Sequence, residues 1–185
     1  AANGQEPGDI KVQDVDGNGV ITTDDRIIYS QRPDVTFGFN NTFNYKGFDL
    51  SVFLYARLGQ WIAYDYNTTY RINALENGGN VDYWTPENPT NAFPRPNKSK
   101  SYTQVTYYST LKYEDGSFFK IRDITLGYTF KPELLKHLNL SKLRVYATAK
   151  NFFTFSKIDN YDPEQGGSIS FPMTKQLVFG LNVEF

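Results

Sequence analysis

The chain has 185 residues, a formal net charge of −1, no Cys, one His, one Met, and an aromatic content of 17%. Near-neutral charge without a Lys/Arg cluster excludes a nucleic-acid footprint, and the lack of Cys excludes a disulfide framework or a thiol nucleophile. No stretch has the length and apolarity of a transmembrane helix or the pattern of a signal peptide, and a first residue that is Ala suggests a mature or partial chain.

The first readable element is "DVDGNGVITTDD", Asp14 to Asp25. A twelve-residue calcium loop offers oxygen ligands at positions 1, 3, 5, 7, 9 and 12 and needs Gly at 6. Those positions are Asp14, Asp16, Asn18, the Val20 carbonyl, Thr22 (directly or through water) and Asp25, with Gly19 at the turn. Calcium is a hard cation that suits carboxylate, amide and carbonyl oxygens, and a chain without Cys offers nothing to softer metals. Asp25 stands where an EF-hand has a longer Glu, and Pro7-Gly8 before the loop and Pro33 after it leave room for no more than a short helix. A Gly/Asp/Asn-rich turn without an ion is the competing reading; the number of ligand positions filled together favours calcium.

Period-two alternation then dominates. Val35, Phe37, Phe39, Phe43 and Tyr45 share one face, Thr36, Gly38, Asn40, Thr42 and Asn44 the other. After a Lys46-Gly47 turn the pattern resumes, Phe48, Leu50, Val52, Leu54, Ala56 and Leu58 opposing Asp49, Ser51, Phe53, Tyr55 and Arg57. Two such runs joined so closely form a hairpin. A third run, "FFKIRDITLGYTF", slips phase near Arg122-Asp123, as a β-bulge would make it do. "PELLKHL" gives a turn or two of helix, and "KLRVYATAKN" and "QLVFGLNVEF" supply the remaining strands.

The links after Tyr45 and Phe130 are short, whereas those from Leu58 to Ser117 and from Asn151 to Gln176 are long and rich in Asn, Pro, Gly, Tyr and Trp. Short turns at one end and long loops at the other mark outer-membrane barrels, and strands of roughly ten residues suffice for a tilted crossing. Phe37, Phe39, Phe43, Leu50, Val52, Leu54, Val145, Ala147, Phe179, Leu181 and Val183 are expected to face lipid. Thr36, Asn40, Ser51, Tyr55, Arg144, Thr148 and Asn182 are expected to face the lumen. A secreted β-sandwich also alternates, but its strands are usually shorter.

Longer blocks carry a resemblance. "YEDGSFFKIRDITLGYTF" resembles the penultimate hairpin of SusC/RagA-type TonB-dependent transporters, and "LRVYATAKNFFTFSKIDNYDPE" the block that follows it. "PGDIKVQDVDGNGVITTDDR" is similar to that family's calcium-type loop, and "FPMTKQLVFGLNVEF" to its terminus, with Phe185 as the last aromatic of an assembly signal. The resemblance implies an all-β fold: the C-terminal strands of a large antiparallel transmembrane β-barrel, with long extracellular loops. Residues 1–33 would form an extracellular loop bearing the calcium motif, and 34–185 the strands and loops of the barrel. Full barrels of this kind have about 22 strands and a plugged lumen, so the plug and most of the barrel lie outside these residues.

The implied function is import of glycan or peptide nutrients across the outer membrane of a Gram-negative bacterium. The implied partners are a SusD-like lipoprotein lid, the TonB complex, the remainder of the barrel and outer-membrane lipid. The alternative is a secreted calcium-binding β-sandwich or a carbohydrate-binding or adhesion module. An enzyme is not expected, because His137 sits in "LLKHLNLS" without a nucleophile motif and the acidic residues mark no dyad. Trp61, Tyr64, Tyr66, Tyr70, Tyr83 and Trp84 either stack on a ligand or meet the lid, or else pack the long loop on itself or form an aromatic girdle.

Overall fold

A computed structural model describes residues 6–63, 82–95, 109–168 and 170–185. In chain order its elements are β1 (Val35–Tyr45), β2 (Phe48–Leu58), β3 (Trp61–Ala63), α1 (Ser109–Lys112), β4 (Tyr113–Asp115), β5 (Phe118–Thr129), α2 (Pro132–Leu135), β6 (Lys142–Ser156) and β7 (Gln176–Glu184). Single 3₁₀ turns occupy Thr23–Asp25, Lys136–Leu138 and Pro163–Gln165.

One antiparallel sheet runs β1-β2-β5-β6-β7, so each long strand pairs with the next one along the chain. β3 and β4 form a second, two-stranded sheet beyond the ends of β2 and β5. The β1–β2 hairpin turns through Lys46 and Gly47, at φ 49° and 89°, the doubly positive geometry that matches strand twist in a two-residue hairpin. Gly47 is required twice over, since a Cβ there would lie 2.8 Å from the Thr129 carbonyl oxygen.

The register joins the apolar sets of all five strands into one face. Phe39 opposes Leu54, Leu50 opposes Leu126, Leu126 opposes Ala147, and Ala147 opposes Phe179. All the residues expected to face lipid fall on this face, and all those expected to face the lumen fall on the other. Asn41, opposite Val52, is the polar exception on the apolar side of β1. Rings cluster toward its two ends: Phe48, Tyr128 and Phe130 at the short-turn end, with centroids 4.6 and 5.0 Å apart, and Phe119 and Phe155 at the other, 6.1 Å apart. Between them lie Leu50, Val52, Leu54, Leu126 and Ala147, with the rings of Phe39, Phe43 and Phe179 among them.

A sheet must bury its apolar face against something, and the described residues supply nothing to cover this one. Among them the buried apolar side chains are few, Ala56, Ile62, Phe118, Leu135 and Pro163, while Phe179 and Leu181 are 76% and 68% exposed. This is the wall of a barrel, all-β and antiparallel, not a layered globular core.

Two boundaries differ from the sequence reading. The phase slip falls at Arg122 as expected, but β6 continues past Lys150 to Ser156. Asn151, at φ 59°, takes up an extra residue opposite the slip, and pairing resumes at Phe153 opposite Ile121. β3 and β4 lie inside the stretch read as a continuous link, being three residues each.

Candidate functional site

The acidic loop precedes β1 at the long-loop end of the sheet. Asp14, Asp16 and Asp25 each place a carboxylate oxygen within 4.8 Å of the others. Backbone donors hold them there: Gly17 and Gly19 donate to Asp14 at 2.8 and 2.7 Å, Asn18 to Asp16 at 3.0 Å, and Val15 and Thr22 each to Asp25 at 2.7 Å. Gly17 and Gly19, at φ 74° and 81°, let the chain curl around these side chains. The Asn18 side-chain oxygen accepts from Val20 N–H at 2.8 Å, and the Thr22 hydroxyl accepts from Asp24 N–H at 3.2 Å, capping the 3₁₀ turn.

The N–H groups of Thr22 and then Val15 hold the Asp25 carboxyl below its ordinary value. Among the described residues, no ion pair neutralises the three carboxylates. Three anionic ligands so close together, joined by an amide oxygen, a backbone carbonyl and a hydroxyl on the same turn, fit calcium in donor type and charge.

The loop is tied down on both sides. Upstream, Arg95 pairs with Glu6 and, at 3.2 Å, with Asp9, and its N–H donates to the Gly8 carbonyl at 2.9 Å. Trp84 lies against Gly8, so closely that a Cβ there would collide with the indole. Downstream, Trp61 N–H donates to the Ser30 carbonyl at 2.8 Å, and the Tyr29 ring lies 4.5 Å from Trp61 and 5.4 Å from Tyr113. Trp61 and Trp84 thus each use ring surface to hold the loops together. Tyr83 is exposed and bridges to Phe93; Tyr64, Tyr66 and Tyr70 lie outside the described residues.

The polar face of the sheet carries ion pairs that sequence reasoning missed. Lys120 on β5 is fully buried and donates to Asp162 at 2.6 Å and Glu164 at 2.8 Å, while Arg122 reaches Glu164 at 3.0 Å. These contacts fasten the β6–β7 loop to the wall. Asp162 also caps the turn Pro163–Gln165 by accepting from Glu164 N–H at 3.0 Å. The sequence signal was present in "YDPE", but its partner emerges only from the register.

Nearer the short-turn end, Arg144 grips Asp49 with two bonds of 2.9 and 2.5 Å, reaching across β5. Gly127 makes the crossing possible, because a Cβ there would be 2.5 Å from the Asp49 carboxylate. His137 is exposed in its 3₁₀ turn. Phe185 is 94% exposed, its carbonyl accepting from the Ser141 hydroxyl at 3.3 Å.

No protein-family model matches the chain. It is 31% identical over 203 residues to TonB-dependent receptor P3 of Formosa agariphila, a match covering 97% of this chain and 19% of that protein. It is likewise 31% identical over 181 residues to TonB-dependent receptor SusC of Bacteroides thetaiotaomicron, covering 93% of this chain and 17% of that one. The chain therefore spans about a fifth of the length of the curated relatives it matches. Among solved structures it is similar to the RagAB peptide transporter, with a TM-score of 0.66 at 27% identity over 86% of this chain and 18% of that one. The RagAB importer in its closed-closed state gives 0.68 at 26% identity, covering 90% of this chain and 19% of that one.

Proposed function

Over the length it spans, this chain belongs to the SusC/RagA-type TonB-dependent transporters of the outer membrane, and from that premise we propose that it serves import of glycan or peptide nutrients. It contributes a stretch of barrel wall and the extracellular rim above it. In the whole protein, transport is energised by the TonB complex and the rim meets a SusD-like lipoprotein. The observation that carries this reading is the continuous apolar face of five strands, with every long loop gathered at one end.

At that rim Asp14, Asp16, Asn18, the Val20 carbonyl, Asp25 and Thr22 (directly or through water) hold calcium. The ion neutralises the clustered carboxylates and stiffens the segment between the Gly8–Trp84 and Tyr29–Trp61 anchors. Import itself is tested by deleting the full gene and measuring growth on single glycan or peptide sources, with and without TonB. Growth on one class should require both proteins; growth unaffected by either deletion refutes the reading.

Calcium is tested separately on the purified full-length transporter. Calorimetric titration should show a site with Kd on the order of 10⁻⁴–10⁻³ M, the range of extracellular modules, and oxygen ligands at about 2.3–2.6 Å in a calcium-grown crystal. Asp14→Ala should abolish the heat and leave the strands intact. Carboxylates splayed apart in that crystal, with no ion between them, would refute the site.

A further inference from the structure

The apolar face is not uniform. Between Leu143 and the irregularity at Asn151, β6 carries only small aliphatic side chains on this face, Val145, Ala147 and Ala149, whereas the strands on either side present larger ones. Leu126 and Tyr128 rise on β5, Phe179 and Leu181 on β7. The step in size leaves a trough of about 560 Å³, lined by Phe48, Leu126, Tyr128, Val145, Ala147 and Phe179, in the half of the sheet nearest the short turns. That volume lies within the roughly 300–1,000 Å³ of ordinary ligand grooves.

The links at this end of the sheet have their own chemistry. The β5–β6 link, which closes the short-turn end directly below, carries Lys131 and Lys136 against a single acid, Glu133. Lys46 stands in the neighbouring β1–β2 turn with its ammonium 5.1 Å from the Tyr45 ring. Among the described residues none of these three lysines has a carboxylate partner. Leu134 and Leu138 of the same link are 60% and 62% exposed, apolar side chains set beside cations at the level where strands leave the membrane.

We propose that the trough and the lysines at this end of the sheet form a binding site for one anionic phospholipid of the periplasmic leaflet. Short turns lie on the periplasmic side of outer-membrane barrels, which sets the leaflet. One acyl chain lies along Val145 and Ala147 between the larger side chains, where no other described segment packs. The phosphate meets Lys131 and Lys136, as basic clusters at membrane boundaries recognise anionic headgroups. The site depends on the membrane face alone and stands whichever nutrient the transporter carries.

The test is native mass spectrometry of the full-length transporter extracted from equimolar phosphatidylglycerol and phosphatidylethanolamine. Wild type should retain phosphatidylglycerol in severalfold excess. Lys131→Gln with Lys136→Gln, both in the solvent-exposed link, should erase that preference while the barrel still inserts. Ala147→Phe, or the milder Ala147→Leu, fills the trough and should lower retention of both lipids. Equal retention of the two lipids by wild type marks them as unselected annular lipid and overturns the proposal, as does an unchanged preference in the double lysine variant.

Discussion

Lys120 has no exposed side-chain surface, and a buried ammonium is tolerable only when its charge is met. Asp162 and Glu164 meet it from a loop more than forty residues away in sequence. Removing one side of such a group leaves the other uncompensated, at a cost on the order of 3–5 kcal/mol, while an apolar replacement of the whole group is far milder. Asp162→Ala with Glu164→Ala should therefore release the β6–β7 loop, raising hydrogen exchange over residues 157–168. Adding Lys120→Met to that pair should restore much of the lost stability, an interaction that a double-mutant cycle reads directly. Additive effects would show that the loop is held by something else. The carboxylate cluster of Asp14, Asp16 and Asp25 was legible in the sequence because its members lie within twelve consecutive residues. Lys120 was not, because a charged residue on an alternating strand names no partner until the register is known.

At the scale of elements, alternation was enough to place the long strands and their faces, since a half-buried strand repeats every second residue. It failed where the repeat breaks. Asn151 shifts the phase of β6, so Phe153 and Phe155 read as loop residues although they continue the ladder. β3 and β4 are too short to display a period at all. The two faces should respond differently to charge. Val52→Arg places a guanidinium in the middle of the apolar band, where it should cost about 2–4 kcal/mol, whereas Asn40→Arg faces the lumen and should be mild. Reversible unfolding of the full-length barrel from lipid vesicles measures both, and equal effects would contradict the assignment of the faces.

At the scale of the whole molecule, this sheet is a wall with lipid on one side and the barrel's interior on the other. Its edges, β1 and β7, each leave one side without a strand among the described residues, and in lipid every such backbone group must be paired. A β-sandwich with the same alternation would instead bury its apolar face in protein. The two architectures separate in one measurement. This chain has no Cys; once any cysteine in the rest of the full-length transporter is replaced, single cysteines at successive positions of β2, from Asp49 to Arg57, give clean spin-label sites in a bilayer. Collision with oxygen should rise at Leu50, Val52 and Leu54, fall at Ser51, Phe53 and Tyr55, and repeat every second residue. If Leu50, Val52 and Leu54 were shielded from oxygen and from a water-soluble nickel chelate alike, the apolar face would be a protein core and the barrel wall would be contradicted.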